Sequence, residues 1–210
     1  MDLIQQLIEG GYLKTPEIIS AFKKIKREDF VLPEMTLEAE KNYPLSIGYG
    51  QTISQPLTVV FMFELLQPKK GQKILDIGSG SGWTTALLAE IVGEKGKVFG
   101  IERIKELADF GQANTKKYNF VSAGRTVFIT GDGSKGLPKE ALFDCIHVGA
   151  AAAKIPGPLL EQLKVGGRLV IPVGIQTQDI VLVEKGGENE YKEQRFPGFA
   201  FVPLVEEKRI

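Results

Sequence analysis

The stretch Leu75-Asp76-Ile77-Gly78-Ser79-Gly80-Ser81-Gly82-Trp83 constrains the fold of this chain more than any other. An apolar lead-in, Lys73-Ile74-Leu75, runs into glycines at alternating positions and then into a helix-like segment. That order predicts a buried strand, a turn open to a ligand, and a helix start. Glycine lets the backbone take positive φ and approach a ligand closely, and a new helix offers unpaired N–H groups to polar atoms. A further strand-like run over 97–101 ends in Glu102, twenty residues beyond Gly82. An acidic side chain at that place accepts hydrogens from both hydroxyls of a ribose.

The glycine spacing narrows the nucleotide. A dinucleotide site needs G-x-G-x-x-G with a pyrophosphate over the helix N-terminus, whereas this chain reads G-x-G-x-G after Asp76. A carboxylate beside the turn suits a cationic ligand such as S-adenosylmethionine, which carries a sulfonium and an amino group and no phosphate. No Gly-Lys-Ser/Thr follows the glycines, which excludes a phosphate-binding P-loop.

The chain has 210 residues, 43% of them hydrophobic, enough for one well-buried core, or for one core with a small appendage. Its 26 basic residues balance 26 acidic ones, so no field of one sign recruits nucleic acid or an anionic membrane. No signal core or membrane-length apolar run is evident, and the expectation is a cytoplasmic, monomeric protein. One cysteine, Cys145, and one histidine, His147, make neither a disulfide nor a metal cluster, so no metal is expected.

Residues 2–9 and 15–26 read as amphipathic helices, the second with Ile18, Ala21, Phe22 and Ile25 on one stripe. Thr15 before Pro16 has the form of an N-cap with proline at the first helical position. Residues 34–41 add a further helical turn or two, and 1–45 are read as an N-terminal helical subdomain. The remainder, 46–210, is read as the main domain, the whole forming one compact unit. Residues 46–56 read as a polar loop and 57–66 as a helix. Strands are expected at 73–77, 97–101, 125–130, 143–148 and 168–173, with helices at 82–92, 103–118 and 157–164. That alternation implies a mainly parallel, Rossmann-like α/β sheet with helices on both faces. Strands at 179–183 and 191–195, joined by Gly186-Gly187-Glu188-Asn189, add an antiparallel edge hairpin, followed by a short strand around 199–202. In such sheets ligands bind beyond the carboxyl ends of the strands, where Asp76, Glu102 and Asp132 all fall.

Other segments are more specific than the glycine turn. Gly50-Gln51-Thr52-Ile53-Ser54-Gln55-Pro56 precedes the sheet, and Phe143-Asp144-Cys145-Ile146-His147-Val148-Gly149-Ala150-Ala151 follows the third acidic turn. The run from Leu159 through Val165-Gly166-Gly167-Arg168 to Pro172-Val173-Gly174, and then Phe201-Val202-Pro203-Leu204, complete the set. Together these closely resemble the protein-L-isoaspartate (D-aspartate) O-methyltransferases. The resemblance implies the class I methyltransferase fold and an enzyme that moves a methyl group from S-adenosylmethionine to the free α-carboxyl of isoaspartyl (and D-aspartyl) residues in damaged proteins and peptides. S-adenosylhomocysteine is then the product, and the methyl ester closes unaided to a succinimide.

With the family's residues carried over, Ser54 is the expected catalytic residue. The expected cofactor set is Thr52, Ile53, Ser54, Asp76, Gly78, Ser79, Gly80, Gly82, Glu102, Arg103, Asp132 and Gly133, and Ser54, Val202 and Leu204 face the substrate. Trp83 stands where the family commonly has tyrosine, Leu57 and Thr58 follow the Ser-x-Pro segment unusually, and Val205 follows Val-Pro-Leu. Those departures keep two alternatives open: the same cofactor with a small-molecule acceptor, and a cofactor-binding module without turnover.

A free α-carboxyl has a pKa of roughly 3.3–3.7 and is ionised at neutral pH, so methyl transfer to it needs no strong base. Ser54 is therefore read as a donor orienting the carboxylate. His147, in an apolar strand, is read as a structural or cleft-lining side chain, and Cys145 as a small buried hydrophobe. Glu184-Lys185 and Glu206-Glu207-Lys208-Arg209 read as solvated surface.

Overall fold

The structure, a computed structural model, describes residues 2–205. The charged run at 206–209 lies outside the described residues.

Two short helices open the chain, α1 (Leu3–Glu9) and α2 (Pro16–Lys24), followed by two 3-10 segments, Arg27–Phe30 and Pro33–Glu38. The helix expected at 34–41 is thus a 3-10 turn, with Pro33 at its start. Next come β1 (Leu45–Gly48) and β2 (Gln51–Ile53), paired antiparallel. They replace the loop expected at 46–56: Ile47 and Ile53 are buried, so this segment pairs its backbone over the core. α3 (Pro56–Leu66), β3 (Lys73–Ile77), α4 (Trp83–Val92), β4 (Lys97–Glu102), α5 (Lys105–Lys116), β5 (Thr126–Thr130) and β6 (Phe143–Val148) follow. α6 (Gly157–Glu161) leads into β7 (Leu163–Val173), β8 (Gln178–Gly187) and β9 (Glu190–Phe199).

The main sheet runs β5-β4-β3-β6-β7-β8-β9. Its first five strands are parallel, and β8 and β9 are antiparallel to their neighbours. The order reverses between β3 and β6, which opens a crevice at their carboxyl ends. Successive side chains on the central strands enter opposite cores. Ile74, Val98, Cys145 and Val170 face a cluster shared with α3, α4 and the N-terminal helices, and Leu75, Ile77, Ile146 and Leu169 face the cluster holding Leu159 of α6. Burial on both faces explains why these strands are almost wholly apolar.

The stripe of α2 packs into the first cluster, Phe22 meeting Phe63 and Trp83 edge-on at centroid distances of 6.4 and 5.6 Å. Each large apolar side chain so buried contributes about 1.5–3 kcal/mol. Thr15 is the N-cap residue of α2, yet its side chain bonds elsewhere. The Oγ1 of Thr15 donates to Glu64 on α3 at 2.7 Å, while the N–H groups of Lys14 and Thr15 both donate to the other carboxylate oxygen at 2.8 Å.

β7 begins at Leu163, earlier than the strand expected at 168–173, because Leu163 pairs with Phe143 before the register shifts. The edge hairpin is longer than expected, β9 running on to Phe199, and among the described residues no separate strand forms over 200–202. Instead Pro203 makes an isolated parallel bridge with Ala151.

Candidate active site

A cleft of about 940 Å³, its open mouth included, lies at the carboxyl ends of β3 to β6. Its floor is the turn after β3. Gly78, Gly80 and Gly82 have φ of 73°, 49° and 86°, which L side chains adopt at a cost. The N–H groups of Gly78 and Ser79 both donate to the Ile101 carbonyl, at 2.9 and 3.1 Å, pinning the turn to β4.

Gly78, Ser79 and Gly80 line the cleft. Gly82 does not: a Cβ there would lie 2.6 Å from the carbonyl oxygen of Gly111, so this glycine admits the close approach of α5. Glu102 lines the cleft at the end of β4, with Arg103 beside it. Its two carboxylate oxygens accept from the N–H groups of Gly80 and Ile104, each at 3.0 Å. Each oxygen keeps a further lone pair, so the fixed carboxylate remains able to accept from a diol. Gly131 and Gly133 line the cleft beyond β5, whereas Asp132 between them turns back. One oxygen of Asp132 accepts from the N–H and hydroxyl of Ser134 at 3.0 and 2.6 Å, and the other faces Lys135 at 3.3 Å.

Asp76 is fully buried and lies behind the wall. It accepts from the hydroxyls of Thr84 and Thr85 at 2.8 and 2.5 Å, and its other oxygen meets Nδ1 of His147 at 2.7 Å. His147, read from the sequence as a structural or cleft-lining side chain, does line the cleft, together with Gly149, Ala150, Ile47 and Met62, which the sequence did not single out as ligand contacts. A polar side chain in an apolar strand beside the order reversal was the available signal.

Thr52, Ile53 and Ser54 form the upper wall, and Val202, Pro203, Leu204 and Val205 face them. The chain from 202 to 204 is held there by Ala151, whose N–H donates to the Val202 carbonyl at 2.8 Å and whose carbonyl accepts from Leu204 at 2.7 Å. Ser54 is half-buried, and it is not the cap of α3: the N–H of Leu57 is taken by Oδ1 of Asn42 at 3.0 Å. An outer groove of about 750 Å³ shares Thr52, Ser54, Gly149 and Val202 with the cleft and continues over Thr58 and Phe201. Ser54 thus stands where the two openings meet. Of the departures, Trp83 and Val205 line the cleft and Leu57 does not.

Within the described residues, Ser79 Oγ and His147 Nε2 are buried on this wall with no hydrogen-bond partner. Orphaned polar atoms around a glycine floor, with one pinned carboxylate, fit an adenosyl ligand with a charged tail. Among the described residues no cluster of His, Cys, Asp or Glu is placed to hold a metal ion, and no helix is long and apolar enough to cross a membrane.

Comparison with known proteins agrees with this geometry. A Methanopyrus kandleri protein-L-isoaspartate O-methyltransferase is 44% identical over 207 residues, covering 98% of this chain and 91% of that one. A Thermococcus onnurineus relative of the same name is also 44% identical, covering 97% and 92%. Among solved structures, one described as a protein-L-isoaspartate O-methyltransferase from Plasmodium falciparum, in complex with S-adenosyl-L-homocysteine, superposes with a TM-score of 0.87 at 26% identity, covering 98% of this chain and 97% of that one. The family described as protein-L-isoaspartate(D-aspartate) O-methyltransferase matches residues 1–209, and the chain belongs to that family.

Proposed function

We propose that this protein transfers a methyl group from S-adenosylmethionine to the α-carboxyl of isoaspartyl residues in proteins and peptides. The observation that carries the reading is the position of Ser54, which lines both the cleft over the glycine floor and the outer groove beside it. When bound, the cofactor supplies an electrophilic methyl group on a sulfonium, which leaves as a thioether when the carboxylate oxygen takes the methyl.

The protein's share of the work is placement. Glu102 is set to accept from the ribose hydroxyls, Gly131, with open space where a Cβ would stand, leaves room for the flat base while Gly133 packs closely on Ile77, and Ser54 is set to donate to the carboxylate and aim one oxygen. Val202 and Leu204 close the opposite side and exclude water, which matters because opposite charges neutralise during transfer and bulk water opposes that. Positioning of this kind supplies about 7–11 kcal/mol in favourable cases. Balanced surface charge supports a locally recognised peptide over nucleic acid or an anionic membrane. A monomer working in the cytoplasm belongs to the same proposal, and sedimentation together with cell fractionation tests it.

The decisive experiment compares labelled methyl transfer to an isoaspartyl peptide and to its normal aspartyl twin. Selective labelling of the isoaspartyl form is expected. Equal labelling of both overturns the substrate assignment, and binding of S-adenosylmethionine without transfer leaves a binding module.

A further inference from the structure

Asp76 precedes the glycine turn, yet its carboxylate never reaches the cleft. It is fully buried, and both oxygens are occupied by Thr84, Thr85 and His147. The residue of this pair that lines the cleft is His147. Asp76 and His147 are register partners on β3 and β6, the two strands between which the sheet order reverses. A carboxylate only accepts, so the proton of this 2.7 Å contact belongs to Nδ1, and in the neutral ring Nε2 then carries a lone pair. Phe63 meets the ring edge-on at 5.5 Å and fixes its plane. The ring's Cε1 lies 3.8 Å from where a Cβ on Gly149 would stand, which places that edge beside the floor of the cleft. Nε2 is buried and finds no partner among the described residues.

The sheet decides what partner it awaits. Rests for base, ribose and tail follow the strand order: Gly131 and Gly133 after β5, Glu102 at the end of β4, then the glycine turn and His147 at the β3/β6 reversal. A cofactor with its base and ribose on the first two must extend its amino-acid tail toward the third. We infer that His147 is a positioning residue whose Nε2 accepts a hydrogen bond from the α-ammonium of that tail, with Asp76 acting through the imidazole. This inference rests on the methyltransferase reading above. It converts the buried carboxylate beside the turn into a cation-seeking acceptor at the cleft wall, without exposing the carboxylate to water.

The test is calorimetric binding of S-adenosyl-L-homocysteine and of its analogue lacking only the α-amino group. The wild type is expected to prefer the natural compound by about ten- to a hundredfold, the range of a hydrogen bond to a charged group. His147→Phe keeps the ring against Phe63 and should bind both compounds equally within about threefold. Asp76→Ala removes the acceptor from Nδ1, frees the tautomer, and should reduce the preference with the imidazole still present. A purely structural role predicts that both compounds weaken together and the preference survives; that result in either folded variant, or no preference in the wild type, overturns the inference. Failure of the wild type to bind S-adenosyl-L-homocysteine at all overturns the methyltransferase reading instead.

Discussion

The guanidinium of Arg27 donates to the carbonyl oxygen of Ser54 at 3.1 Å, so a buried cation of the N-terminal segment holds the loop that carries the proposed catalytic hydroxyl. The same group donates to the carbonyls of Ala39, Lys41 and Tyr43 at 2.9, 3.2 and 2.9 Å and lies 5.3 Å from the centre of the Trp83 ring. Burial lowers its pKa to about 10, with Glu40 opposing, and it remains cationic at neutral pH. A lysine lacks the planar fork that serves these carbonyls at once. Arg27→Lys is therefore expected to cost about 2–4 kcal/mol in urea denaturation and to reduce methyl transfer. An unchanged midpoint would show that the guanidinium does not organise this loop.

Ser54 is placed to orient a carboxylate that is already ionised, with no role in proton removal. Ser54→Ala should reduce turnover by about 10²-fold or more while the dissociation constant for S-adenosylmethionine moves little. Equal losses in both would make Ser54 a cofactor ligand first, and an unchanged rate would remove it from the chemistry.

Gly82 belongs to the glycine turn by sequence but to a helix contact by structure. Gly82→Ala forces a methyl toward the Gly111 carbonyl at a φ of 86°. The expected loss is about 2–4 kcal/mol of stability, from left-handed strain and displacement of α5. Thermal melts should reveal it. A variant as stable as the wild type but deficient in cofactor binding would return Gly82 to the ligand.

Cys145 is buried in β6, its sulfur 3.7 Å from the Leu66 carbonyl. Burial pushes its thiol up from 9.0 to about 12. Between those values the unfolded thiol has lost its proton and the folded one retains it. The stability this group contributes is therefore full below about pH 9 and is lost as pH rises toward 12. The stability difference between wild type and Cys145→Ala should shrink across that window in urea titrations. A pH-independent difference would mean the thiol ionises equally in both states.

Much of this architecture is legible in local pattern. Ile74, Leu75 and Ile77 are all apolar because β3 is buried on both faces, and the same holds for Val98, Phe99 and Ile101 on β4. The stripe Ile18, Ala21, Phe22 and Ile25 marks the packed face of α2. Other elements carry no such pattern. β1 and β2 read as loop because Ser46, Gln51 and Thr52 are polar, and pairing with each other over buried Ile47 and Ile53 is what makes them strands. The cap of α2 is likewise tertiary, since Glu64, 49 residues away, takes the bonds that Thr15 was expected to keep within its own helix.

By itself the sequence determined the α/β alternation, the glycine floor, the acidic end of β4 and, through the Thr52–Pro56 segment, the family resemblance. Those features are set by neighbours a few residues apart, and local geometry carries them. Only the tertiary structure decided which acids line the cleft. Asp76 and Asp132 sit at strand ends as Glu102 does, yet Glu102 lines the cleft while the other two turn toward His147 and Ser134. Asp76 and His147 are 71 residues apart. Their pairing depends on β6 returning to the other side of β3, and a buried carboxylate bonds to whichever donor the sheet brings beside it.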